Sequence, residues 1–300
     1  MEKIVVNENN KRIDDYMTEK LNISRNQIQK LIKKNHILVN NKATKNSYII
    51  KNNDVISYEL IAETNILVPN KMDIDIVYED DDVIVVNKAN GVVVHPAIGN
   101  KENTLVNGLI YHSKKLSDIN GEFRPGIVHR IDAYTTGLLM VAKNNKAHIN
   151  LAKQLEEKKI KRKYKALVWG VIKNDTGTID APIGRDLNNR KKMAVTAINS
   201  KKAITHFRVL ERYKNATLIE LTLETGRTHQ IRVHMNYIGY PVVNDPVYGR
   251  RKMIDDTNQC LHAYLLGFYH PTTKKYLEFK SELPDCFINI LNQFKNLKDK

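Results

Sequence analysis

Two periods of apolar residues follow one another along the first sixty positions. Ile13, Tyr16, Met17 and Leu21 recur at the three- and four-residue spacing of one helix face. Ser24 stands where a helix N-cap belongs, and Ile28, Leu31 and Ile32 mark the apolar side of a second helix, Arg25 to Lys34. From His36 to Lys42 the period drops to two, and Asp54 to Tyr58 reads as a closing strand. Two short helices and a strand pair thus make a module of their own. The segment from Thr64 to Lys71 links it to the remainder, so domains are expected at 1–65 and 66–300.

Strand signals resume at Ile74–Tyr78, pass through the acidic turn Glu79–Asp82, and continue at Val83–Val86 as a hairpin. Helices are predicted over Thr104–Lys115 and over Asn144–Lys158, the second from its face of Ala147, Ile149, Leu151, Ala152 and Leu155. Further strands are predicted at Tyr164–Val171, Ala203–Arg212, Thr217–Glu224 and Leu261–His270. Many strands with few interspersed helices argue an α+β fold, a mixed, largely antiparallel sheet with helices packed on it.

Charge narrows the class of partner. The 300 residues carry 48 Lys and Arg against 33 Asp and Glu, a formal net charge of +15. Such a field favours polyanions, of which nucleic acid is the commonest large one in a cell. Lysine enrichment from an AT-rich genome is the competing explanation, because Asn and Ile are abundant too. The two cysteines, Cys260 and Cys286, form neither a metal-ligand spacing nor a disulfide framework. With no signal-peptide pattern and no long apolar stretch, the chain is expected to be cytoplasmic and to have no membrane partner.

The chemistry concentrates in Gly126-Ile127-Val128-His129-Arg130-Ile131-Asp132-Ala133-Tyr134-Thr135-Thr136-Gly137, a polar turn between two apolar runs. A carboxylate on a loop held by a sheet, with an arginine two residues before it, suits nucleophilic or acid–base work. The run closely resembles the His-Arg-Leu-Asp-x-x-Thr-Ser-Gly signature of the RluA/RluD family of pseudouridine synthases. Ile131 replaces the usual Leu and Thr136 the usual Ser, and Ala133-Tyr134 is less charged than the pair often found there. The resemblance extends to Gly226-Arg227-Thr228-His229-Gln230-Ile231-Arg232-Val233-His234, to Pro182–Asp186, to Asp245–Gly249 and to Leu261-His262-Ala263.

That resemblance implies roles. Asp132 would be the nucleophile, Arg227 the partner that keeps it ionised, and Tyr164 the ring stacked on uracil and a candidate for proton abstraction at C5. Arg130, His129 and Arg232 would contact substrate, Arg130 by entering the space left by an extruded base or by contacting the RNA backbone. Thr228 would cap a helix running to Asn236. Metal binding by His229, His234 and His262 fits no standard zinc spacing, and no metal is expected. The N-terminal module resembles the S-four-like RNA-binding domain over residues 12–59, whose basic positions Arg25, Lys30, Lys33 and Lys34 would contact phosphates. The implied reaction isomerises uridine without redox or hydrolysis, so no cofactor is expected. Large-subunit ribosomal RNA is the expected substrate, transfer RNA the runner-up, and a monomer the expected state. The rival from another class is a non-catalytic RNA-binding or ribosome-assembly scaffold, which has no need of Asp132, Tyr164 and Arg227 together.

Overall fold

The chain opens with a strand that the periodicity does not announce, β1 (Glu2–Val5), exposed along most of its length and so without an alternating pattern. This is seen in a computed structural model that describes residues 1–60, 67–96, 100, 102–121, 124–189, 192–249 and 253–296. The two predicted helices follow as α1 (Ile13–Leu21) and α2 (Arg25–Lys33), then β2 (Ile37–Val39), β3 (Lys42–Ala43) and β4 (Val55–Tyr58). The four strands form an antiparallel sheet in the order β1-β4-β2-β3. Ser24 caps α2 in a reciprocal pair with Gln27. Ile13, Tyr16 and Met17 of α1 and Ile28 and Ile32 of α2 close a core with Ile37 and Ile56. These elements belong to the first of two units into which the chain divides, Met1–Asn65 and Ile66–Lys300.

The second unit runs β5 (Asp75–Glu79), β6 (Val83–Lys88), α3 (Leu105–His112), β7 (Thr136–Ala142), α4 (Asn145–Glu156), β8 (Lys161–Trp169), β9 (Thr176–Asp180), β10 (Ile183–Arg185) and β11 (Met193–Val195). It continues with β12 (Ile204–Arg212), β13 (Ala216–Leu223), α5 (Gln230–Tyr237), β14 (Leu261–Tyr269), β15 (Tyr276–Lys280) and α6 (Asp285–Lys295). The main sheet has the order β5-β6-β7-β14-β8-β13-β12-β9, with β15 added on β14. Among the described residues only β7 and β14 pair in parallel. The sheet is therefore mixed and largely antiparallel.

Alternation along the strands sorts the helices onto two faces. Ile84, Val86, Leu139, Val141, Tyr164, Ala166 and Ile219 pack with Leu105, Val106 and Leu109 of α3 and with Ile231 and Met235 of α5. On the opposite face, Val83, Val85, Leu138 and Met140 pack with Ala147 and Leu151 of α4. There too Leu167 and Leu218 meet Phe287, Ile290, Leu291 and Phe294 of α6. β14 is where the sheet forks: its first residues pair with β7, and Leu265–Tyr269 pair with β15. Gly137 makes the β7–β14 contact possible. Its φ is +105°, and a Cβ there would lie 2.3 Å from the carbonyl oxygen of Ala263.

Several boundaries depart from the pattern. β8 begins at Lys161 rather than Tyr164, because Lys161 and Lys163 point out of the sheet onto Glu278 and Glu220 instead of interrupting it. β6 runs on to Lys88, opposite Gly137. The helices predicted to Lys115 and Lys158 stop at His112 and Glu156. No helix among the described residues is long and apolar enough to cross a membrane.

Candidate active site

Asp132 sits on the loop that enters β7, and the loop is tied before and after it. Ile127 bridges to Val141 on β7. Past Asp132, the Thr135 amide donates to the Asp132 carbonyl at 3.1 Å. The carboxylate is about four-fifths buried, at 18% exposure. Its partner is Arg232, the third residue of α5, whose Nη1 donates to Asp132 Oδ2 at 3.0 Å. The other edge of the same guanidinium is locked onto Asp245, Nε to Oδ2 at 2.7 Å and Nη2 to Oδ1 at 2.8 Å.

Asp245 is itself fully buried and accepts the amides of Val247 and Tyr248. Burial alone would raise the Asp245 carboxyl, but Arg232 and those amides hold it below the usual carboxylate range. Burial likewise works against the Arg232 charge and loses to Asp245 and Asp132, which leave the guanidinium protonated at any working pH. The planar fork is thus fixed by one carboxylate and aims its remaining donor at the other. The Tyr248 ring lies under it, with the guanidinium carbon 5.1 Å from the centroid.

This arrangement corrects the expected pairing. Arg227 is not the partner of Asp132: it lies before α5, where its Nε donates to the carbonyl of Lys202 at 3.0 Å. Thr228 is not the cap either. The helix starts one residue later, from His229 in a left-handed conformation with φ 57°. Instead of a threonine cap, the Gln230 Oε1 accepts from the Arg227 amide and the Thr225 hydroxyl. This later start places Arg232, not Arg227, over the loop.

Asp132 and Tyr164 line one cavity of about 550 Å³, together with His129, Arg130, Arg162, Arg227 and Arg232. Tyr164 is buried on β8, and its phenol is pushed up by burial and by Asp132 while Arg162 pulls the other way. It is a neutral ring in this site. His129 is neutral as well, pushed down to about 3 by burial and by Arg162. Its Nε2 accepts from the Met140 amide, so it braces the loop against β7 rather than presenting a cation. Arg130 is exposed, and among the described residues its Nη1 reaches His95 Nε2 at 3.5 Å.

Arg162, in the basic run before Tyr164, has a buried Nε with no hydrogen-bond partner among the described residues. Arg130, Arg162 and Arg227 therefore surround the cavity with no carboxylate partner among the described residues. His229 also reaches the site, 3.9 Å from Asp132 Oδ1, with its Nδ1 on the Tyr248 hydroxyl at 2.8 Å. His234 and His262 turn elsewhere, to Thr205 with Ala181 and to Thr136 with Ser281.

In the N-terminal unit, Arg25 is held by Asp14 at 3.0 Å and Asp15 at 2.9 Å. Asp14 is fully buried and also accepts from Arg12 and Gln29. Arg25 is thus part of the clamp between α1 and α2, while Lys30, Lys33 and Lys34 are exposed along α2.

Comparison with known proteins decides what this site belongs to. A family model described as RNA pseudouridylate synthase matches residues 82–237, more than half of the chain. A protein described as an uncharacterized RNA pseudouridine synthase, YlyB of Bacillus subtilis, is 51% identical over 286 residues, covering 95% of this chain and 94% of its own. The chain belongs to the RNA pseudouridylate synthase family. Like the family, it is an isomerase acting on RNA. An S4 domain model matches residues 11–56. The ribosomal large subunit pseudouridine synthase D of Neisseria meningitidis serogroup B is 43% identical over 295 residues, covering 94% of this chain and 78% of its own. The human RNA Pseudouridylate Synthase Domain Containing 1 structure is 26% identical and superposes with a TM-score of 0.58 over 74% of this chain and 95% of its own.

Proposed function

We propose that Asp132 is the nucleophile with which this synthase isomerises specific uridines, and that its substrate is large-subunit ribosomal RNA. The observation that carries the first part is the Asp245–Arg232–Asp132 chain at the wall of the cavity. A carboxylate attacks only when it is aimed, and a guanidinium fixed from behind aims it before substrate arrives. Tyr164 offers the target base a neutral ring face on which to stack. Its raised phenol favours stacking over service as a resting base.

Arg130, Arg162 and Arg227 have donors to spare for phosphate and for the uracil carbonyls. A base withdrawn from a helix leaves a gap that the exposed, planar Arg130 has the shape to fill. As an isomerase the chain breaks the bond from C1′ to N1, turns the base and joins C5 to C1′, while the C5 proton leaves to a base or solvent and N1 takes up a proton. The reaction involves no net redox change.

The ribosomal substrate rests on relatives named for the large ribosomal subunit and on the S4 domain. The residues of the cavity all come from one catalytic unit, which supports action as a monomer, and the substrate supports a cytoplasmic location. Pseudouridine mapping of total RNA from cells with and without the protein tests this reading. Uridines that lose modification are expected in large-subunit ribosomal RNA, whereas losses confined to transfer RNA would replace the substrate.

A further inference from the structure

His229 leads into α5 with φ 57°, a left-handed conformation that residues with a Cβ seldom take. Elsewhere among the described residues it falls to glycine, to asparagine and to the exposed Lys158 and Lys274. Glycine or asparagine would hold this backbone with less strain, so the imidazole needs a reason of its own. The ring lines the cavity with Asp132 and Tyr164 and is 23% exposed.

The hydrogen bonds around the ring fix where its proton sits. The buried Tyr248 hydroxyl oxygen accepts the Met193 amide at 2.9 Å. Burial raises that phenol, so it keeps its proton. The one acceptor among the described residues for that proton is His229 Nδ1, at 2.8 Å. Burial also pushes the imidazole down, and this outweighs the pull of Asp132, so the ring is neutral. With Nδ1 accepting from Tyr248, the ring carries its hydrogen on Nε2.

Nε2 lies beside the attacking group. Arg232 holds Asp132 Oδ2, and Oδ1 is 3.9 Å from Nε2, too far for a hydrogen bond. The Nε2–H donor therefore has no partner among the described residues. It is fixed from behind by Tyr248 and stands at the wall where the base must lie for Asp132 to reach it.

We propose that His229 is a catalytic residue of the isomerisation: its Nε2–H donates a hydrogen bond to a carbonyl oxygen of the target uracil and stabilises the charge that the base takes on. The proposal rests on Asp132 being the nucleophile. Attack at C1′ breaks the bond to N1 and leaves its pair on the base, shared with the ring oxygens. Attack at C6 moves the C5–C6 pair towards O4. Either way a uracil oxygen gains negative charge beside Asp132. The turned base then joins C1′ through C5, the carboxylate departs with its own pair, the C5 proton leaves and N1 takes up a proton. His229 keeps its proton throughout, so it acts as a preset donor.

The experiment uses full-length wild type, His229→Gly, His229→Asn, His229→Gln and Asp132→Asn on a large-subunit ribosomal RNA transcript that wild type modifies. Single-turnover pseudouridine formation at saturating RNA, RNA affinity and thermal melting are measured at about pH 8.5, where free imidazoles are neutral. Glycine suits the left-handed backbone, so His229→Gly is expected to fold and to bind RNA within about twofold of wild type while reacting about 100-fold more slowly. Added imidazole is expected to restore at least about tenfold of that rate, and 1-methylimidazole, which has no N–H, to restore none. His229→Asn is expected to be as slow as His229→Gly, because its amide ends near the place of Nδ1. A wild-type rate in His229→Gly or His229→Asn overturns the proposal, as does rescue by both imidazoles alike or by neither. If His229→Gly does not fold, His229→Gln carries the test: its amide reaches the place of Nε2, and a rate no faster than that of His229→Asn overturns the proposal. Turnover by Asp132→Asn sinks the nucleophile reading itself. An inactive Asp132→Asn beside a fully active His229→Gly sinks only the role of His229.

Discussion

Arg232 joins two carboxylates with different tasks: Asp245 is fully buried and only holds, while Asp132 faces the cavity. A lysine in its place has one ammonium for three oxygens and no planar fork. Arg232→Lys is therefore expected to lower the single-turnover rate by about 100-fold, as a nucleophile displaced by roughly 1 Å does, with little change in RNA affinity. Arg227→Lys is expected to change the rate a few-fold at most, its loss falling on affinity. Single-turnover rates and binding isotherms for the two variants check this, and the reverse order would return Arg227 to the carboxylate. The long motif around Asp132 made it a candidate from sequence, and the fold brings it to one cavity with Tyr164. The choice of arginine was not legible. Both arginines lie in the same run, and only the fold shows which one reaches the loop. Asp245 was hidden for another reason: a charged residue in a loop is ordinarily solvated, and only the fold shows it buried.

At the scale of elements, the site depends on how closely β7 approaches β14. Gly137 lies in that contact, paired with Ala263 four residues after the loop residue Ala133, and a side chain there meets the Ala263 backbone in a region of φ that L residues avoid. Gly137→Ala is expected to cost about 1–3 kcal/mol of stability or more, and to lower activity with it, because β7 carries the catalytic loop. Chemical denaturation alongside the turnover assay measures both. A stable, fully active variant would show that the strands can part without moving Asp132. Much of the sheet was legible in the sequence, including β12, β13 and β14. The charged start of β8 was not, since Lys161 and Lys163 point to acidic partners across the sheet. β15 shows only half-buried alternation. α6 carries a helical face at Phe287, Ile290, Leu291 and Phe294 that lies beyond the last predicted strand.

At the scale of the molecule, a net charge of +15 is distributed over two units, of which the smaller presents Lys30, Lys33 and Lys34 along one helix. Removing residues 1–65 takes away those cations and leaves the Asp245–Arg232–Asp132 chain in place. Affinity for structured ribosomal RNA and its salt dependence are expected to fall, because fewer phosphates are neutralised. Turnover at saturating RNA is expected to change less. Binding across a salt series compares the two forms, and coinciding slopes would leave the basic face of α2 as solvated surface. The division into two units was legible from the change of period near residue 60. The central claim concerns one oxygen-bearing side chain. Asp132→Asn keeps size and hydrogen bonding and removes the charge that attacks. Tritium release from C5-labelled ribosomal RNA, measured beside RNA binding, tests that claim most directly. The expected result is a folded protein that binds RNA as wild type does and releases no tritium, and turnover above background would contradict it.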